Sequence, residues 1–257
     1  MKATLILDPP RSGPLNMAID EVLGRKIVGR QDEFFVRFYS WAPPTLTIGY
    51  NQPVADIDIA ALEKDGLAWV RRMTGGGGVL HWNEVTYSFA IPYRPLGRLS
   101  REEIFEFCSR TLSGFYGALG IATEARAPGY TAPIADCFAV PGAYELVAEK
   151  TGRKIAGSAS TIKRGYFLQH GSIPIDDSHR RIGNYLTVTD PAVTSFEGST
   201  FIGEFTDITA DQARSKFRDY LAAQFDLEES DLPPSFLEEA RTLAQEKYAS
   251  PPWSHRK

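Results

Sequence analysis

Four consecutive glycines, Gly75-Gly76-Gly77-Gly78, follow the run Arg71-Arg72-Met73-Thr74, and no other stretch constrains the fold of this chain as much. Four glycines together cost backbone entropy on folding, so an ordered structure must repay that cost. Leu67–Met73 reads as a strand entering the run, and Val79–Pro92 as a strand leaving it. The run is neither a P-loop nor a dinucleotide turn, because no Gly-Lys-Ser/Thr follows and the next element is a strand rather than a helix. It is either a flexible hairpin tip or a nest of backbone N–H groups that approaches a ligand closely. The two arginines before it favour an anion-facing loop.

The rest of the composition narrows the class. The chain has 257 residues, 43% hydrophobic and 23% charged, an ordinary globular balance that excludes disordered and fibrous proteins. Lys and Arg total 28 against 32 Asp and Glu, a net charge of −4. That charge argues against a general nucleic-acid binder, which needs a dense basic surface. Two cysteines, Cys108 and Cys137, make neither a disulfide scaffold nor a cysteine-rich metal site. The four histidines show no metal-ligand spacing, so no metal site is expected. The apolar run before Asp8 is too short for a secretory signal, and no stretch reaches the roughly 18 apolar residues of a membrane span. The expected compartment is the cytoplasm, with both thiols reduced.

Element by element, the pattern is α+β: one large mixed sheet with helices packed on it. Residues 15–28 fit a helix, 34–39 and 45–50 strands, and 56–65 a short helix. The clearest helix is 100–119, where Ser100 and Glu103 form a capping box and Ile104, Cys108, Leu112, Phe115 and Leu119 fall on one stripe. Residues 144–149, 154–160 and 165–175 read as an antiparallel meander, and two helices close the chain from about residue 209.

Placement separates the chemical candidates. Cys108, on the apolar stripe of a helix, reads as a small core hydrophobe. Cys137 lies in the aperiodic stretch TAPIADCFAVPGAY and is either a loop nucleophile or a small residue flooring the loop. Strand alternation from Lys154 puts Ala156, Ser158 and Ser160 on its face, leaving room for a ligand beside the ammonium. An edge lysine that deters strand pairing is the other reading. His170 and His81 are each a site residue or a satisfied core histidine.

Four ordered segments together resemble the lipoate–protein ligase and octanoyltransferase family. They are Pro44-Thr45-Leu46-Thr47-Ile48-Gly49-Tyr50-Asn51-Gln52, the run from Arg71 to His81, Gly152-Arg153-Lys154-Ile155-Ala156-Gly157-Ser158-Ala159, and Leu168-Gln169-His170-Gly171-Ser172-Ile173. The pairing of Cys137-Phe138 with Tyr144-Glu145-Leu146 and then Lys154 is similar to the cysteine-dependent octanoyltransferases of that family. The resemblance implies a class II aminoacyl-tRNA synthetase/biotin synthetase-like catalytic domain over residues 1–257, without the C-terminal accessory domain of the ligases. It implies Cys137 as the acyl-thioester nucleophile and Lys154 as its partner. Arg72, Gly75, Gly76, Gly77, Gly78, His81, His170 and Gly171 then surround the substrate. The implied reaction moves octanoyl from acyl carrier protein to a lysine of a lipoyl-domain protein, such as the glycine cleavage H protein or a 2-oxoacid dehydrogenase E2. No cofactor, nucleic acid or membrane is involved. Arg71, Arg72, Arg153, Lys154, Lys163 and Arg164 would converge on the cleft to receive the acidic carrier. Ser160 stands where the family often has Gln, and the glycine run lacks the arginine of related transferases, as in the ATP-using ligases. An ATP-dependent lipoate ligase, with ATP and Mg at the glycine run, is therefore the alternative. A non-catalytic binder that kept the fold is a third reading, opposed by the joint presence of Cys137 and Lys154.

Overall fold

The computed structural model describes residues 1–93, 99–126, 135–139, 144–187 and 195–256, with backbone alone at 195 and 196. The chain runs β1 (Lys2–Leu7), α1 (Gly13–Lys26), β2 (Glu33–Tyr39), β3 (Thr45–Ile48), α2 (Ile59–Lys64), β4 (Ala68–Arg71), β5 (Val79–His81), β6 (Glu84–Pro92), α3 (Arg101–Ala118), β7 (Thr123–Ala125) and β8 (Leu146–Ala148). It continues through β9 (Gly157–Lys163), β10 (Tyr166–Pro174), α4 (Ser195–Gly198), α5 (Ala210–Gln224), β11 (Asp226–Ser230), α6 (Pro234–Leu243) and α7 (Pro251–Ser254).

The main sheet has six strands in the order β11-β1-β2-β6-β10-β9. β11, β1 and β2 are mutually parallel, and β2, β6, β10 and β9 antiparallel. A second sheet, β4-β3-β5, and a two-stranded β7-β8 ribbon stand apart from it. The expected single sheet is thus divided. The division falls inside the long strand expected over Val79–Pro92, where Asn83 takes a positive φ of 41°. Asparagine tolerates that conformation better than most residues. The chain turns there, so β5 pairs with β3 while β6 enters the middle of the main sheet.

Register assigns the faces of the main sheet. Arg37 pairs with Ser88, and Ser88 with His170, which pairs with Ala159. Side chains alternate between faces, so this row lies on one face and its sequence neighbours on the other. The opposite face carries Phe34, Val36, Phe38, Tyr87, Phe89 and Phe167 and packs on α3 and α5 in the larger core. Cys108 is fully buried there, as its stripe predicts, and the Ser100–Glu103 capping box is present. The row bearing Arg37, Ser88 and His170 is covered by α1, which α6 and residues 244–248 back in turn. Among the described residues no helix is long and apolar enough to cross a membrane.

Candidate active site

The glycine run is held from behind by Arg72. Its Nη2 donates to Gly75 O (2.6 Å) and Gly77 O (2.8 Å), its Nε to Thr74 Oγ1 (3.1 Å), and its Nη1 to Thr47 O (3.3 Å). Burial, offset in part by Cys137, lowers the Arg72 pKa to about 10. Arg71 points the other way, toward residues 254 and 256. The expectation that both arginines meet an anion is therefore corrected. Their donors go to the protein's own carbonyls, because burial demands that each guanidinium N–H be matched. Gly49 lets the β3 turn approach the run, since a Cβ there would lie 1.8 Å from Gly76 O.

The nucleophile loop docks on the end of that run. Gly78 N donates to Ala135 O (2.6 Å), and Cys137 N to Gly78 O (2.9 Å). Cys137 is 8% exposed, and a Cβ placed on Gly76 would lie 3.9 Å from its Sγ. Lys154 reaches the same point from the far side. Its Nζ lies 3.6 Å from Cys137 Sγ, donates to Cys137 O (2.7 Å), and pairs with Glu145 Oε2 at 2.6 Å. Burial works to lower the Lys154 pKa, but the Cys137 and Glu145 charges outweigh it and leave the ammonium above its ordinary value.

Lys154 does not sit in the strand predicted for it. β9 starts at Gly157, and Lys154 bridges β8 and the end of α4 through Val147 and Ser199. The shared face with Ser158 and Ser160 is lost. Ser158 instead lies on the far face, where its Oγ meets Tyr87 OH at 2.8 Å. The small neighbour that makes room is Gly157, against which Phe138 packs.

Beside the thiol opens a small cavity of about 20 Å³ between α1 and the main sheet. That is room for about one water molecule. Met17, Tyr39, Trp41, Val79 and Ala159 wall it, together with His81, His170, Gly171 and Arg72. His81 stacks on Trp41 at 4.2 Å between centroids and is held by Glu84 (2.6 Å) and Thr47 (3.0 Å). His170 is clamped between Asp20 Oδ2 (3.0 Å) and Thr74 Oγ1 (2.7 Å). Burial lowers its pKa despite the Asp20 carboxylate. A neutral ring satisfies both contacts, Nδ1–H donating to Asp20 and Nε2 accepting from Thr74.

The structure thus brings Cys137 and Lys154 into contact, sets Gly76 close to the thiol, and lines one cavity with Arg72, His81, His170, Gly171 and Cys137. Gly75 and Gly76 are exposed and Gly77 and Gly78 buried. The expected basic patch is not there. Arg153 pairs with Glu204, Lys154 with Glu145, Arg71 and Arg72 are consumed internally, and Lys163 and Arg164 sit at the other end of β9. Sequence reading gave no role to Glu145, Asp20, Thr74, Trp41 or Gln52. The one available signal was Asp20, a carboxylate within the apolar run of α1, which is 1% exposed. Among the described residues no group of three or more His, Cys, Asp and Glu could hold a metal ion.

A thiol touching an ammonium, under a glycine run and beside an apolar cavity, is equipped to accept an acyl group, and the fold places that chemistry in a class. A family model of the lipoyl protein ligase A/B catalytic domain matches residues 12–225. The chain belongs to that family. It is 35% identical over 266 residues to the octanoyltransferase LipM of Bacillus anthracis, covering 96% of this chain and 95% of that one. To the octanoyltransferase LipM of Bacillus subtilis it is 33% identical over 272 residues, covering 98% and 97%. Among solved structures, a lipoate-protein ligase A bound with ATP superposes with a TM-score of 0.82 at 22% identity, covering 99% of both chains. The putative lipoate protein ligase Ta0514 of T. acidophilum with bound lipoic acid gives 0.80 at 22%, covering both chains fully. These structures share the fold, a mixed sheet flanked by helices.

Proposed function

We propose that this chain is an octanoyltransferase of protein lipoylation, that Cys137 carries the acyl group, and that residues 1–257 form one catalytic domain working in the cytoplasm. The observation that carries the reading is the contact of Cys137 Sγ with Lys154 Nζ at 3.6 Å, where the thiol lines the cavity under α1. The full-length similarity to octanoyltransferases supports it.

The Cys137 thiolate attacks the carbonyl carbon of an octanoyl thioester on acyl carrier protein. The carbon–sulfur bond to the carrier breaks, and the carrier leaves as a thiol after taking one proton. The exchange is nearly isoenergetic, so no nucleotide is required. An acceptor lysine amine of a lipoyl-domain protein, the glycine cleavage H protein or an E2, then attacks the Cys137 thioester. The amide forms, the amine gives up a proton, and the Cys137 thiol is regenerated. Splitting the transfer into two half-reactions is the advantage of a covalent intermediate. Lys154 stabilises the thiolate in the free enzyme and again as the leaving group. Arg72, by drawing the Gly75 and Gly77 carbonyls inward, turns the backbone of the run so that its N–H groups can receive the oxyanion. Met17, Tyr39, Trp41 and Val79 line the cavity and part to take the acyl chain.

Intact mass spectrometry after mixing with octanoyl carrier protein, without nucleotide, tests this. One octanoyl mass should appear, labile to hydroxylamine, and transfer to an apo lipoyl domain as a stable amide. If no adduct forms while free octanoate or lipoate with ATP acylates the lipoyl domain, the ligase reading replaces this one.

A further inference from the structure

Arg71 is fully buried, yet it does not line the acyl cavity. Its guanidinium gathers carbonyls from two distant segments. Nη1 donates to Gly49 O (2.8 Å) and Gln52 O (2.6 Å), while Nε donates to Ser254 O (3.1 Å) and Nη2 to Arg256 O (3.1 Å). Trp253 returns the contact, its Nε1 donating to Arg71 O (2.9 Å). The Arg256 guanidinium lies 3.8 Å over the Tyr50 ring. The Gly49–Gln52 turn in turn grips the site. Tyr50 N donates to Thr74 O (2.8 Å) at the head of the glycine run. The Gln52 side chain accepts from Gly49 N (3.2 Å) and donates to Ala135 O (3.1 Å), the same carbonyl that receives Gly78 N.

We propose that residues 251–256 are a strap which, through Arg71, fixes the Gly49–Gln52 turn, and that this turn positions the Cys137 loop through Gln52 and the glycine run through Tyr50. Arg71, Gln52 and Trp253 are positioning residues, and the proposal rests on Cys137 as the acyl carrier. The planar fork of Arg71 fits carbonyls in fixed directions, which a lysine ammonium does not. Its hydrogen bonds carry a charge and are stronger than neutral ones. The strap therefore transmits a defined geometry. Slackening it lets Ala135 drift and carries Cys137 away from Lys154, without touching the walls that bind the acyl chain.

The test uses the full chain carrying Trp253→Phe, Gln52→Met, the two together, and Arg256→Ala. Three readouts are taken: the single-turnover rate of Cys137 octanoylation, the donor concentration at half-saturation, and the rate of Cys137 alkylation by iodoacetamide at neutral pH. Each of Trp253→Phe and Gln52→Met should slow octanoylation at saturating donor about fivefold, the effect of one lost hydrogen bond, with half-saturation unchanged. Alkylation should slow as well, because the thiol loses its cation. The double variant should be no slower than the slower single, since both cut one line of force. Folded variants with wild-type rates, losses that multiply to roughly 25-fold, or faster alkylation from general loosening would each overturn the strap. Should Trp253→Phe fail to fold, Gln52→Met and Arg256→Ala carry the same comparison. A wild-type protein that forms no adduct sinks the function proposed for Cys137, and alkylation still decides the strap.

Discussion

Lys154→Met separates the chemical work of the ammonium from its structural work. Nζ lies 3.6 Å from Cys137 Sγ, and at an effective dielectric of about 20 the attraction between ammonium and thiolate there is about 4–5 kcal/mol. Losing it should slow thioester formation by about three orders of magnitude. The same change takes the cation from beside Glu145, which is 12% exposed and 2.6 Å from the lost ammonium. Breaking a buried pair by removing one partner costs about 3 kcal/mol. For a chain of this size that is roughly 6–12 °C of melting temperature. Lys154→Met/Glu145→Gln removes both charges of the pair. The double variant should recover most of the melting temperature and none of the activity. The assays are a thermal melt and the octanoyl adduct followed by intact mass at fixed times. If activity returns together with stability, Lys154 only maintains the fold, and its part in the chemistry is refuted.

Other expectations follow from individual contacts. Cys137→Ala should abolish the hydroxylamine-labile adduct, while Cys108→Ala, in the core under α3, should lower the melting temperature and leave transfer intact; intact mass and a melt compare them. Gly49→Ala should abolish adduct formation although residue 49 does not line the cavity, because its Cβ would meet Gly76 O at 1.8 Å; near wild-type turnover would show that the turn and the run need no close approach. Burial lowers the His179 pKa to about 4, against about 6.5 in the unfolded chain. The folded value is the lower, so stability is full above pH of about 6.5 and drains as pH falls toward about 4, by about 3 kcal/mol in all. Urea melts across that window should show the loss. His179→Gln should flatten part of it, with His170, also lowered by burial, and the lowered carboxylates of Glu21 and Asp176 contributing to the rest.

What the sequence disclosed was local. The capping box at Ser100, the stripe through Cys108, and the contrast between a helix cysteine and a loop cysteine all depend on spacing within one element, and all three appear in the structure. What it hid depends on partners far along the chain. Arg71 and Arg72 look alike in sequence, yet one grips carbonyls 183 and 185 residues away while the other grips its own loop. β11 was invisible because Asp-Leu-Glu-Glu-Ser has little strand preference and pairs only because β1 offers a parallel edge. Lys154 was misplaced for a related reason. Its own N–H and C=O go to residues 198 and 200, while Arg153 and Ile155 on either side bond to β8, so it bridges two segments instead of opening β9.

The two faces of the main sheet explain why the site forms where it does. Beneath α3 and α5 the sheet meets its neighbours chiefly through aromatic and aliphatic side chains, which fill space but tolerate small shifts. Beneath α1 the row Arg37, Ser88 and His170 crosses three adjacent strands in register. All three converge on Asp20: Arg37 Nη1 and Ser88 Oγ on one carboxylate oxygen at 2.9 Å each, His170 with Tyr39 on the other. Asp8 balances the remaining charge of Arg37 at 2.6 Å. Each member has partners, so removing any one leaves buried charge or donors unmatched, and the set is retained or lost together. Such a network locates α1 against the sheet more sharply than apolar packing does. From Asp20 it continues through His170 and Thr74 to Arg72, and so to the carbonyls of Gly75 and Gly77. The glycine run, whose backbone is intrinsically the freest in the chain, is therefore braced by a buried, hydrogen-bonded network, and that bracing is what repays the entropy of four consecutive glycines.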